Sequence, residues 1–235
     1  MASPKAFVQG LVGRVLFRDA TVTRTEAVSP HFRHLVLGGP GLQGVTWTPG
    51  DKVQLFLPSV GTRAYTPFRW DARTGETELL VYLHGEGPGT RWAREVRRGD
   101  AIQVFGPRSS LPVGDAPRPI LVVGDETSVG LALARGTAGP TVLEVTDPAE
   151  TRGVLDVLGL GSSAVLVERQ PGDGHHEALV DAVASALRAQ PGARLVLSGR
   201  AAAIQAVRRG LKTRGISAVD SRTKAYWAPG KTGLD

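Results

Sequence analysis

The chain has 235 residues and no cysteine. That excludes disulfides, thiolate catalysis and any cysteine-ligated iron–sulfur centre. An electron carrier here has to be a bound organic cofactor or a metal held by histidine and carboxylates. Long apolar runs are missing too. No segment approaches the length of a membrane span, and the opening Met1-Ala2-Ser3-Pro4-Lys5 lacks the apolar core of a secretory signal. A cytoplasmic protein without membrane insertion is expected, and a monomer. The five histidines form no ligand constellation. His175 and His176 fall in a loop with Gly and Asp and are expected in solvent. His31 and His34 flank a strand, in structural roles. No protein-bound metal, general base or nucleophile is expected.

Acidic residues are in deficit, 22 against 28 Lys and Arg, for a formal charge of +6. That balance suits an anionic partner. The basic residues are scattered, with no aromatic-interleaved stripe of the kind that binds nucleic acid, so a small anionic ligand is expected rather than nucleic acid.

The first half reads as β structure. Arg14–Val28 carries apolar residues at Val15, Phe17, Val22 and Val28 with polar residues between. Phe32–Leu37, Val53–Leu57, Leu79–Leu83 and Ala101–Phe105 are short, branched or aromatic, and separated by Gly, Pro and Asp. This pattern predicts a small antiparallel barrel of six strands. The second half changes period. Short apolar runs at Ile120–Val123, Thr141–Val145, Ala164–Val167 and Arg194–Ser198 alternate with helical patterns over Glu177–Gln190 and Ala201–Arg214. Strand–helix alternation predicts a parallel sheet covered by helices. The Pro-containing seam Leu111–Pro119 places a boundary between residues 1–113 and 114–235.

Two runs stand out. Arg63-Ala64-Tyr65-Thr66 sets a cation, a flat ring and a small hydroxyl together, and His84-Gly85-Glu86-Gly87-Pro88-Gly89-Thr90-Arg91-Trp92 is a glycine-rich turn running into a helix start at Thr90. Together they suit a flat cofactor carrying a diphosphate. The ring packs on the heterocycle, Arg63 pairs with a phosphate, and Gly85, Gly87 and Gly89, with Pro88 between, let backbone N–H groups and a helix N-terminus approach the diphosphate. In the second half, Val123-Gly124-Asp125-Glu126-Thr127 and Ser198-Gly199-Arg200 follow strands at their carboxyl ends, where open α/β sheets bind ligands. By chemistry alone the first of these turns is only a helix start.

These stretches, in order, resemble the siderophore-interacting proteins, FAD-dependent ferric-siderophore reductases related to ferredoxin-NADP reductase. The resemblance also takes in His31–Pro40, Pro49–Pro58, Arg98-Gly99-Asp100, Gly106-Pro107-Arg108, Glu144-Val145 and Ala225–Lys231. It implies a Greek-key FAD-binding barrel, six-stranded, followed by a Rossmann-like nicotinamide-binding domain. It implies FAD as cofactor and NADPH or NADH as electron donor. Tyr65 would pack on the isoalloxazine, Thr66 would reach its N5 region, and His84 with Gly85–Thr90 would hold the phosphate and ribose edge. Trp92 is either an adenine contact or a core residue. Asp125, Glu126, Thr127, Gly199 and Arg200 would border the nicotinamide site, with Arg200 either on a 2′-phosphate or in solvent. Tyr226 and Trp227 would lie near the flavin or anchor the tail on the barrel. The chain departs from the family in three places: Ser128-Val129-Gly130 replaces Ala-Leu-Pro, the following helix looks shortened, and Phe68 with Arg69 replaces a second flavin-site arginine.

The implied reaction is reduction of a ferric siderophore to release Fe(II). The anionic complex would meet a basic rim of Lys52, Arg69, Arg108, Lys224 and Lys231. The alternatives are a general flavin reductase or electron-transfer partner, and a scaffold that binds ferric chelates without turnover.

Overall fold

The structure is a computed structural model, and it describes residues 17–57, 60–114, 116–137, 139–161, 164–218 and 220–230. Arg14, Val15 and Lys231 therefore lie outside the described residues. No helix among the described residues is long and apolar enough to cross a membrane.

The first sheet follows from two-residue alternation. In β3 (Lys52–Leu57) Val53, Leu55 and Leu57 point inward, and in β6 (Glu76–Tyr82) Thr77, Leu79 and Val81 do the same. With Val22, Leu35, Leu37, Ile102 and Val104 these residues make one core. The other strands are β1 (Phe17–Ser29), β2 (Phe32–Gly38), β4 (Gly61–Tyr65), β5 (Arg69–Asp71) and β7 (Ala101–Arg108). Their order is β4-β3-β7-β1-β2-β6-β5, and every pair is antiparallel.

The expected antiparallel barrel is present, with two differences. The sheet has seven strands rather than six, and no ladder joins β4 to β5 among the described residues, so it curls without closing. Neither edge strand carries the alternation that marks the others. β4 is polar and mostly exposed, and β5 is only three residues long.

The chain leaves the barrel through a pinned connection. Leu111 N–H and Val113 N–H donate to Gly50 and Pro49 carbonyls at 3.1 and 2.9 Å. Gly50 has φ +96°, and a Cβ there would lie 1.8 Å from the Leu111 carbonyl oxygen, so only glycine fits.

The second sheet is wholly parallel, in the order β10-β9-β8-β11-β12. Its strands are β8 (Ile120–Asp125), β9 (Thr141–Val145), β10 (Ala164–Glu168), β11 (Arg194–Leu197) and β12 (Arg222–Thr223). β8 and β9 are buried along their whole length, as expected for strands covered on both faces. Ile120 and Val122 pack with Val129, Leu131, Val154 and Leu155 on one side. Leu121 and Val123 pack with Leu179, Val183, Ile204 and Val207 on the other. The covering helices are α2 (Val129–Arg135), α3 (Pro148–Val157), α4 (His176–Ala189) and α5 (Ala201–Thr213), and α1 (Pro88–Glu95) belongs to the barrel. α4 and α5 bury the apolar stripes that the sequence predicts.

α2 is short, as its sequence suggests, and Arg135 plugs its end. The buried guanidinium donates to the carbonyls of Ile120 (2.7 Å) and Pro140 (2.6 Å) and to Thr141 Oγ1 (2.8 Å). Burial pushes its pKa down to about 10. One clamp joins the sheets across their seam. Glu150 on α3 accepts from Ser29 Oγ (2.6 Å), His31 N–H (2.8 Å) and His31 Nδ1 (2.9 Å) at the β1–β2 turn.

Candidate functional site

The glycine-rich turn leads into α1 at Pro88, two positions before the predicted Thr90. Proline is favoured at the first helical position, where its missing N–H costs nothing. Thr90 is buried instead, and its hydroxyl donates to the His84 carbonyl at 2.8 Å, bracing the turn. The N-cap, Gly87, has no side-chain cap, so the first-turn N–H groups face outward without one. A side chain at Gly85 or Gly87 would meet no atom within 4 Å. Arg63, exposed on β4, also comes to this turn. A Cβ at Gly89 would lie 3.6 Å from Arg63 Nε. The two runs singled out in the sequence therefore meet in space.

Tyr65 and Trp92 are half-buried and pack against the barrel core. Burial pushes the Tyr65 hydroxyl up to about 12. Thr66 begins the cleft between the two sheets. Its Oγ1 lies 3.3 Å from the hydroxyl of Tyr226 in the tail, and that hydroxyl is likewise pushed up to about 12 by burial. The next residue, Trp227, stacks on His84 with centroids 5.8 Å apart and planes 23° apart. Desolvation lowers the His84 pKa. Trp227 Nε1 also donates to Asp125 Oδ2 at 2.8 Å. The tail thus packs on the barrel through Thr66 and His84, one of the two places the sequence allows it, and also touches Asp125 of the parallel sheet.

Asp125 ends β8 and is fully buried. It also accepts from Thr127 N–H (2.9 Å) and Thr127 Oγ1 (2.5 Å). Burial, opposed by these hydrogen bonds, raises its pKa to about 6. Gly199 is obligatory beside it, with φ +83° and a would-be Cβ 2.5 Å from Asp125 Oδ2. The Gly199 carbonyl accepts from Tyr226 N–H at 2.8 Å, which anchors the tail.

Behind Asp125 lies a buried charge network. Glu126 accepts from Thr146 N–H (2.6 Å) and Arg169 Nη2 (2.8 Å). Glu144, with no exposed surface, accepts from Arg200 Nε (2.7 Å), Arg200 Nη2 (2.9 Å) and His175 Nε2 (2.6 Å). Arg200 Nη1 reaches Asp173 at 2.6 Å, and Nη2 donates to His176 Nε2 at 3.0 Å. His175 Nδ1 accepts the Gln170 N–H, so its Nε2 is the protonated nitrogen facing Glu144. Burial alone would raise the Glu144 pKa, but Arg200 and His175 hold it below the ordinary value.

One expectation fails here, and so does one of two alternatives. His175 is not in solvent but 2 % exposed, and His176 is half-buried. Arg200 is not in solvent either but 6 % exposed, with all three guanidinium nitrogens donating inside the protein. Glu144 draws in His175 and Arg200, because a buried carboxylate needs donors, and His176 follows by accepting from Arg200.

Sequence reasoning missed Arg169, Asp173 and the role of Glu144. One signal was there. Glu144 stands about twenty positions after Gly124, the spacing at which an acid follows the first turn of a dinucleotide-binding unit.

The basic rim is only partly assembled. Lys52 and Arg108 are register partners on β3 and β7. Arg108 also donates to Gln54 (2.7 Å) and lies 4.5 Å over the Phe105 ring. With Arg18 it lines a groove of about 530 Å³. Arg69 sits on the edge strand β5, paired with Glu78 at 3.0 Å. Lys224 follows β12 in the other sheet. A second groove, about 630 Å³, lies at the amino end of β8 between Pro49, Arg118 and Arg135, away from the cleft.

Residues 59–111 match the family model of the siderophore-interacting FAD-binding domain. The chain is 31% identical over 136 residues to the NADPH-dependent ferric-chelate reductase of Escherichia coli (strain K12), a match covering 48% of this chain and 53% of that protein. The chain thus spans about half the length of that relative. Its fold is that of a siderophore utilization protein from T. fusca, with TM-score 0.74, 25% identity, and 93% and 95% of the two chains covered. A ferredoxin reductase of carbazole 1,9a-dioxygenase shares the fold alone, with TM-score 0.71, 17% identity, and 90% and 69% covered. The likeness to siderophore-interacting proteins and ferredoxin reductases read from the sequence is borne out.

Proposed function

We propose that the chain is an FAD-dependent oxidoreductase that takes electrons from a reduced nicotinamide and passes them to a ferric siderophore. One observation carries this reading. Arg63, the open N-terminus of α1, Thr66 and His84 from the barrel converge with Asp125 and the Tyr226-Trp227 tail at the carboxyl end of the parallel sheet. The residues fit a dinucleotide. The glycine turn offers backbone N–H groups and a helix end beside one arginine, which suits a diphosphate. Residues 1–113 are proposed as the flavin-binding unit and 114–235 as the nicotinamide-binding unit.

When bound, the flavin accepts two electrons together and releases them singly. The balance is one NAD(P)H and two Fe(III) giving NAD(P)⁺, H⁺ and two Fe(II). Arg63 and the α1 N–H groups neutralise the diphosphate. Tyr65, Thr66 and Tyr226 keep their hydroxyl protons, since burial holds both tyrosines near 12. They bind by hydrogen bonding and packing, not by proton transfer. Trp227, fixed by Asp125 and His84, lines the site. The softer, less charged Fe(II) is held more weakly by hard oxygen ligands, so reduction loosens the iron without breaking the chelator. Lys52 and Arg108 are the proposed contacts for an anionic chelate, and the reaction is placed in the cytoplasm.

The test is an anaerobic titration. Purified protein should take up FAD and turn yellow, a reduced nicotinamide should bleach it, and a ferric siderophore should restore the colour. Protein that takes up no flavin refutes the reading. Bleaching without reoxidation by ferric chelates favours a general flavin reductase or a partner to another redox protein. Chelate binding without bleaching favours a scaffold.

A further inference from the structure

We infer that the nicotinamide-binding unit discriminates against a 2′-phosphate and takes NADH in preference to NADPH. The inference rests on the reading above and names the donor for that site.

In a strand–turn–helix–strand unit the adenosine ribose lies at the carboxyl edge of the sheet. An acid there accepts the 2′-hydroxyl, and a free arginine is what accommodates a 2′-phosphate. Among the described residues this edge offers Arg169 and Arg200, and neither is free. Arg169 is bonded to Glu126 and Thr146 and lies 3.7 Å from Glu144. Arg200 is bonded twice to Glu144 and once to Asp173. Lys224, beside the end of β11, is also engaged within the protein.

His176 Nε2 accepts from Arg200, and His175 Nδ1 accepts from Gln170 N–H. The named carboxylates, Asp125, Glu126, Glu144 and Asp173, outnumber the two guanidinium groups that face them. Asp173 is the most exposed of these acids in the network, at 40% of its side chain against 2% for Glu126 and none for Glu144. It would meet a 2′-phosphate as a like charge, whereas a 2′-hydroxyl can donate to it. Recruiting Arg200 to a phosphate would strand Glu144 as a buried, under-paired carboxylate.

The test compares 5′-ADP with 2′,5′-ADP by calorimetry at fixed ionic strength, alongside bleaching of the bound flavin by NADH and NADPH. 5′-ADP should bind about tenfold or more tightly, the scale of an uncompensated like-charge contact. Asp173→Asn should narrow that gap about threefold with an unchanged melting curve, since Asn tolerates the left-handed backbone at this position (φ 63°). Equal or tighter binding of 2′,5′-ADP overturns the inference, as does a failure of both to bind at millimolar concentration. So does NADPH bleaching the flavin as efficiently as NADH. If 5′-ADP is preferred and neither dinucleotide bleaches the flavin, the discrimination stands and the reductase reading falls.

Discussion

Glu144→Ala tests whether the charge network is structural. The carboxylate accepts three hydrogen bonds, from Arg200 Nε, Arg200 Nη2 and His175 Nε2, and the side chains of Glu144, Arg200 and His175 are 0%, 7% and 1% exposed. Its removal leaves Arg200 buried with Asp173 as its remaining carboxylate. Breaking a buried pair from one side costs about 3–5 kcal/mol. The surviving Asp173 contact puts the expected loss at the low end, about 3 kcal/mol, or roughly 6–12 °C in Tm for a chain of this size. Asp173→Ala, at a more exposed pair, should cost only about 0–1 kcal/mol. Glu144→Leu with Arg200→Met should cost less than Glu144→Ala alone, because no charge is then stranded.

Urea melts at several pH values add a second signature. The Glu144 pKa is depressed on folding, so the folded state binds fewer protons there than the unfolded chain. Its contribution is present above the ordinary value near 4.5 and is lost as pH falls through the lower folded value. Wild type should lose this increment on acidification, and Glu144→Ala has none to lose. A cost below about 1 kcal/mol, or a double variant as damaged as the sum of the singles, refutes the reasoning.

Asp125 should titrate with the opposite sign. Its folded pKa is raised from 3.8 to about 6, so its contribution is present below about 4 and lost as pH rises to about 6. Asp125→Asn, which keeps an acceptor for Trp227, should gain on wild type by up to about 3 kcal/mol across that window in urea melts, and a constant difference refutes the shift. Arg63→Ala should weaken FAD by about 1.5–3 kcal/mol in a flavin titration, and unchanged affinity means Arg63 does not touch the diphosphate. Lys52→Ala with Arg108→Ala should slow reduction of an anionic ferric chelate, more at low salt than at high, and leave flavin content intact. Arg208→Ala is the control, since Arg208 is exposed on α5. Equal loss with a neutral chelate refutes the electrostatic argument.

The fold was legible wherever burial imposes a period. Val53, Leu55 and Leu57 announce β3 by alternation, and Leu179, Val183 and Leu187 announce α4 by their four-residue repeat. β4 and β5 were not legible, because an exposed edge imposes no such pattern. In the site, the local runs were readable, and Arg63 does meet the turn at Gly89. The pairings between distant residues were not. Arg200 and Glu144 stand 56 positions apart, and nothing in the composition of either neighbourhood says that they meet. A histidine in a Gly- and Asp-containing loop looks solvated until Glu144 is known to lie beneath it.

That network also explains how a short tail can be held across a cleft. Arg200 is the hub of the buried pairs, and its backbone bridges to Trp227. Ala201 N–H donates to the Trp227 carbonyl at 3.0 Å, and Tyr226 N–H to Gly199 at 2.8 Å. Tyr226 then touches Thr66 of the barrel, while Trp227 touches His84 of the barrel and Asp125 of the parallel sheet. The buried ion pairs therefore form the floor on which the tail rests. A buried salt bridge adds little net stability over apolar packing but fixes one arrangement of its neighbours. Here the arrangement fixed is the Gly199-Arg200 turn, and through it the height of Trp227 above His84. Loosening Glu144 should accordingly alter the near-ultraviolet circular dichroism of Trp227 before it unfolds the sheet. A spectrum that changes only with global unfolding would separate the network from the tail.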